Sequence, residues 1–149
     1  MLTLFTIGHS NLSAETFVAH LKRHNITTLV DVRSHPVSRR FPHFNKDALE
    51  TSLPEAGIAY RFAGKYLGGR SDAEAIDFVM GIARLLNLTA QESGGLAIMC
   101  AEGDPLQCHR HTLIARALLD PSASVLEGEI DLAVQHILPD GSLMPAAFG

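Results

Sequence analysis

The chain is 149 residues long, with 46% hydrophobic and 19% charged residues and a formal net charge of −4. This is the size and balance of one domain that buries its core without staples, and it excludes a disordered, collagenous or disulfide-scaffold protein. The charge is uneven: residues 1–70 hold nine Lys/Arg against five Asp/Glu, and residues 71–149 hold three against eleven.

Leu2 to Ile7 is β-prone and leaves through the turn-rich Gly8-His9-Ser10-Asn11. These first residues lack the basic head and long apolar run of a secretory leader, and no later stretch reaches the ~20 apolar residues of a membrane span. With only two cysteines, a reducing cytoplasm is the expected location and no membrane partner is expected. Ser13 can cap a helix that carries Phe17, Val18 and Leu21 on one face and closes near Asn25. Thr27 to Val32 is a second strand with Asp31 inside it. Arg33 to Asn45 is a long polar loop whose two prolines argue against regular structure.

Asn45 can cap a helix through Leu49 and Leu53, with Gly57 as its stop. Ile58 to Phe62 is a third strand, and Tyr66-Leu-Gly-Gly-Arg70 is a candidate site loop. Ser71-Asp-Ala-Glu74 fits a capping box, and the helix behind it is expected to place Ile76, Val79, Met80, Ala83 and Leu86 on one face. Leu96 to Met99, bounded by Gly94-Gly95, reads as a fully buried strand. A helix with Leu113, Ile114, Ala117 and Leu118 begins near Cys108 or His109, and Val134 to Leu138 forms a last strand. The whole, residues 1–149, is expected to be a single three-layer α/β domain. It would have a mostly parallel sheet of about four to five strands and helices on both faces.

Right-handed crossovers bring the loops after strands one, two and four to one edge, where open α/β sheets bind ligands. His9, Ser10, Asp31, Arg33, Cys100, Glu102 and the Cys108-His109-Arg110 helix start gather there. Cys108, at a helix amino terminus beside His109 and Arg110, suits a reactive thiolate; the alternative is a buried packing cysteine. Cys100, ending an apolar strand, reads as packing. Glu102 or His109 can move a proton, and Asp31 can orient Arg33 or His9 or satisfy nearby backbone. Arg33, Arg39, Arg40, Arg70 and Arg110 suit bidentate contact with phosphate or carboxylate.

Candidate catalytic residues are therefore Cys108, His109, Glu102, Asp31 and His9. Candidate substrate contacts are Ser10, Arg33, Arg39, Arg40, Gly69 and Arg110. Cys100, Cys108, His109, His111 and Glu102 include zinc-type ligands. Their spacing matches no common zinc pattern and adjacent Cys and His seldom aim at one ion, so no metal or other cofactor is expected. No P-loop, GxGxxG fingerprint, serine elbow or Cys-x5-Arg loop is present. The leading expectation is an enzyme acting on an anionic, phosphate-containing small molecule or nucleic acid. The alternatives are a non-catalytic anion-binding module and a metal-dependent hydrolase.

A resemblance to a known family adds to this reading. Its carriers are Thr6-Ile-Gly-His-Ser10, Leu29-Val-Asp-Val-Arg33 with Pro36 and Ser38-Arg-Arg40, Phe44-Asn-Lys46, Leu67-Gly-Gly69 and Met99-Cys-Ala-Glu102 with Cys108-His-Arg110. Together they resemble the domain of unknown function 488 family. The resemblance implies an α/β fold and a shared polar site, with no particular reaction. The family often carries a longer aromatic-containing segment after Gly69, where this sequence starts a helix at Ser71.

Overall fold

The described residues form six strands, β1 (Leu2–Gly8), β2 (Ile26–Asp31), β3 (Ala59–Phe62), β4 (Gly95–Cys100), β5 (Leu132–Ile137) and β6 (Leu143–Pro145), with helices between the first five. The helices are α1 (Ala14–Arg23), α2 (Lys46–Glu55), α3 (Gly64–Leu67), α4 (Ala75–Gln91) and α5 (Arg116–Leu119), the last continuing a π-helical turn over Arg110–Ala115. This computed structural model describes residues 1–68, 75–123, 128 and 130–148. The capping box at Ser71-Asp-Ala-Glu74, and Gly69 and Arg70 before it, lie outside the described residues.

The strands form one sheet in the order β3-β2-β4-β1-β5-β6. The first five are parallel, and β6 runs antiparallel to β5. Alternation along each strand divides the core in two. On β4, Leu96, Ile98 and Cys100 belong to one buried cluster, Ala97 and Met99 to the other. The first cluster is covered by Leu67, Ile82, Leu85, Ile114, Ala117 and Leu118, and the second by Phe17 and Leu21 of α1 with Leu49 and Leu53 of α2. The chain is thus an α/β three-layer fold, as the alternation implied. It has one strand more than expected, because the hairpin partner β6 is only three residues long.

Two local readings need correction. On α4, Met80 and Ala83 are exposed, and the inward face carries Gly81, Ile82, Leu85 and Thr89 instead. A Cβ at Gly81 would press on Leu67 and Tyr66, so α3 docks where α4 has no side chain. Asn45 precedes α2 but does not cap it: its Oδ1 accepts from the Ser38 backbone N–H at 2.6 Å and ties the Arg39–Arg40 loop to the helix start. Ser13 caps α1 as expected, accepting from the Thr16 N–H at 3.1 Å.

What positions the site is that β2, β4 and β1 are neighbours ending in step, Asp31 beside Met99 and Gly8 beside Cys100. The pairing continues past the strands, with the His9 N–H on the Cys100 carbonyl and the Ser10 N–H on that of Ala101, both 2.9 Å. Gly8 makes this possible: a Cβ there would fall on the Glu102 carbonyl, so only glycine lets the loop after β4 fold across β1.

Candidate functional site

Asp31, the last residue of β2, is fully buried and both its oxygens are engaged. Oδ1 accepts from Arg33 Nε at 2.9 Å, and Oδ2 accepts from Arg33 Nη2 at 2.7 Å and from the Tyr60 hydroxyl at 2.5 Å. Burial, then the Asp31 hydrogen bond and charge, raise the Tyr60 pKa. Arg33 also reaches the Phe44 carbonyl through Nη2 at 2.7 Å, while its buried Nη1 has no partner among the described residues. Asp31 therefore holds the Arg33 side chain and also accepts from the Arg33 backbone N–H at 3.1 Å. Both its oxygens are occupied by these donors.

His9 is buried and stacked on Phe44, ring centroids 4.4 Å apart. Its Nδ1–H donates to the Ser10 carbonyl at 2.8 Å, since a carbonyl can only accept. Burial, with the Arg33 charge acting in the same direction, lowers its pKa to about 4. The ring is neutral at pH 7, and Nε2 presents a buried lone pair with no partner among the described residues.

Cys100 ends β4, and Cys108 closes a short 3-10 turn over Pro105–Gln107. Both are buried and the structure pairs them sulfur to sulfur. The Cys108 carbonyl accepts from the N–H groups of His111 and Thr112, each at 3.0 Å, so Cys108 stands at the helix start as the sequence implied. His109 donates through Nε2 to the Val32 carbonyl at 3.0 Å, leaving the Nδ1 lone pair 3.8 Å from Cys108 Sγ. Burial lowers the His109 pKa, so the ring can serve as a neutral base or ligand.

Arg110 lies deeper than the other arginines of this edge. It is fully enclosed, and its guanidinium donates to Thr6 Oγ1 at 3.1 Å, Cys100 Sγ at 2.9 Å and the carbonyls of Glu102 and Gly103. These four contacts shape the loop after β4 and occupy four of the five guanidinium N–H groups. Burial lowers the pKa of Arg110 to about 10, and it remains a cation at pH 7. Behind it, the Thr6 hydroxyl meets His136 Nδ1 at 2.6 Å, and His136 Nε2 meets His111 Nδ1 at 3.0 Å. Thr6 Oγ1, which accepts from Arg110 Nε, thus links the guanidinium to the His136–His111 pair. Burial, then Arg110 and His111, lower the His136 pKa to about 4.

Two open clefts meet over the loop after β4 and share Ala101 and Glu102. One, of about 340 Å³, is lined by Arg33, Gln107, Cys108 and His109. The other, of about 510 Å³, is lined by His9, Ser10, Asn11, Arg39 and Arg40. Glu102 is exposed between them, its Oε1 accepting from the Asp104 N–H at 3.0 Å. Of the expected site residues, Cys108, His109, Glu102, His9, Ser10, Arg33, Arg39 and Arg40 are thus brought together.

Tyr60, Thr6, His136 and Phe44 were not anticipated. The available signal was a polar side chain at an inward strand position, which Thr6 and His136 both show.

No helix among the described residues is long and apolar enough to cross a membrane. The model of the family described as Domain of unknown function DUF488 matches residues 13–76, a stretch that includes Asp31, Arg33, Arg39, Arg40 and Tyr60 and ends before the cysteines. No curated protein and no solved structure matches the chain.

Proposed function

We propose, from the premise that this chain carries a DUF488 domain over residues 13–76, that the protein is an enzyme acting on a phosphate-bearing anion. Arg39 and Arg40 hold the anion, and the reaction takes place on the Cys108–His109 side. The observation behind this reading is the shared lining: an exposed arginine pair and a Cys–His pair line two clefts that have Ala101 and Glu102 in common. A molecule spanning both puts its charge on the arginines and its reacting group beside Cys108. Glu102, exposed between the two clefts, stands where a proton has to be moved.

Exposed guanidinium groups bind phosphate oxygens bidentately and keep their salt sensitivity. Calorimetric titration with pyrophosphate should therefore give binding that weakens as salt rises and is lost in the Arg39→Ala/Arg40→Ala double variant. Equal binding by that variant and the wild type would remove the anion from this cleft and the reading with it. Binding without any turnover in a screen of phosphate esters and anhydrides would leave a non-catalytic anion-binding module.

A further inference from the structure

We infer that the protein in its dithiol form holds a divalent cation of the zinc type, bound by Cys100 Sγ, Cys108 Sγ and His109 Nδ1. These three atoms lie within 4.8 Å of one another, and Cys108 Sγ and His109 Nδ1 are 3.8 Å apart. Bond lengths of about 2.3 Å to sulfur and 2.0 Å to nitrogen put tetrahedral ligands at a comparable spacing.

Sequence spacing argued against a metal because adjacent Cys and His seldom face one point. The backbone removes that objection. Cys108 is extended (φ −126°, ψ 147°) and His109 helical (φ −62°, ψ −19°), so the change of conformation between them turns both side chains to one side.

Three further features fit ligand roles. His109 donates its far nitrogen to the Val32 carbonyl, the outer bond that fixes a ligating imidazole in the right tautomer. The buried Arg110 cation donates to Cys100 Sγ, which favours the thiolate a metal requires. The Cα atoms of the two cysteines are 7.7 Å apart, wider than the usual disulfide span of roughly 4.4–6.8 Å, a frame better suited to two sulfurs around an ion.

Binding replaces two thiol protons, which leave to solvent, and changes no oxidation state; the sulfurs move apart to admit the ion. A Cys100–Cys108 disulfide is the competing state and forms only with a two-electron oxidant. The fourth position opens on the cleft lined by Glu102 and Gln107. That its occupant is an oxygen of the anionic substrate rests on the function proposed above. The three protein ligands do not depend on it.

The test is a Co²⁺ titration of full-length protein, reduced, stripped with chelator and confirmed to have two free thiols. One equivalent should produce thiolate-to-cobalt charge-transfer absorption and four-coordinate d–d bands, both erased by Zn²⁺. Cys108→Ser should weaken the charge-transfer band and lower affinity at least about tenfold. His109→Gln, which leaves both sulfurs in place, should keep that band while shifting the d–d bands. No charge-transfer band in the fully reduced wild type would overturn the inference, and so would a cysteine pair that cannot be reduced in the folded protein. Pyrophosphate titration of the metal-free protein separates the two proposals: cobalt binding with no anion binding retires the function alone, and the reverse retires the metal alone.

Discussion

Around Cys108 the arginines are buried and held by fixed partners. Arg110 is enclosed on all sides, and Arg33 is clasped by Asp31 and the Phe44 carbonyl. Around Ser10 they are exposed: Arg39 stands in solvent, and Arg40 lies over the Phe41 ring, 5.4 Å from its centroid. The two clefts share a wall but use the same residue type in opposite ways. A buried guanidinium fixes backbone and orients other groups, and removing it strands its acceptors. An exposed one contributes little to stability and remains available to a ligand. A charge count therefore does not locate an anion site, whereas the fate of each N–H does.

The largest effect that separates the two regions is expected at Arg110. Arg110→Leu leaves the Glu102 and Gly103 carbonyls without their donor and breaks the link between Thr6 and Cys100. Chemical denaturation should show a loss of at least about 3 kcal/mol, the range of a broken buried network. A loss under about 1 kcal/mol would mean that Arg110 is no more committed than Arg39.

Next comes pH. His9 and His136 titrate at about 4 in the folded protein, against 6.5 for the free side chain. Between those values the unfolded chain binds the protons that the fold refuses. Stability should therefore be fully present above pH 6.5 and fall as the pH drops toward 4, by up to about 1.4 kcal/mol per pH unit for each histidine. In His136→Gln the slope over this window should fall by up to about 1.4 kcal/mol per pH unit, the share one histidine carries. An unchanged slope would show that His136 charges freely in the folded state.

A smaller effect is expected at Tyr60, whose hydroxyl meets Asp31 at 2.5 Å. Tyr60→Phe should cost about 1.5–3 kcal/mol, the range for a hydrogen bond to a charged group, with Asp31 keeping its two bonds to the Arg33 side chain. A change below about 0.5 kcal/mol would mean that the Asp31–Arg33 pair is complete without it.

Much of this was legible in the sequence, for identifiable reasons. Short apolar runs bounded by turn residues marked β1, β2 and β4. The crossover rule then placed His9, Arg33 and Cys108 on one edge without any knowledge of strand order. The fate of individual arginines was not legible. Arg110 and Arg39 look alike in sequence, and only the folding of the loop after β4 over Gly8 encloses one of them. The inward face of α4 was misread for a related reason. Docking against α3 occurs at Gly81, where the absence of a side chain makes the contact, and a count of apolar residues cannot register it. At three residues, β6 is too short for its pattern to differ from a turn.

The smallest expected effect on the fold sharpens the comparison most. In Arg39→Ala/Arg40→Ala both lost charges are solvent-exposed, and the loop that carries them is tied down elsewhere, by the Ser38 N–H on Asn45 Oδ1 and the Phe41 N–H on Ser38 Oγ at 3.0 Å. Denaturation should shift by no more than about 1 kcal/mol. Iodoacetamide labelling of Cys108 in the reduced, metal-free protein should likewise be unchanged when no anion is present. With pyrophosphate added, the wild type should label more slowly, because an anion on the arginines reaches across Glu102 and crowds the mouth of the Cys108 cleft. The double variant should show no such protection. Labelling read by mass spectrometry, with and without pyrophosphate, thus tests whether the two clefts act together. Protection that survives the loss of both arginines would place the anion on the Cys108 side of the wall. Absence of protection in the wild type, with binding intact, would make the clefts two separate sites.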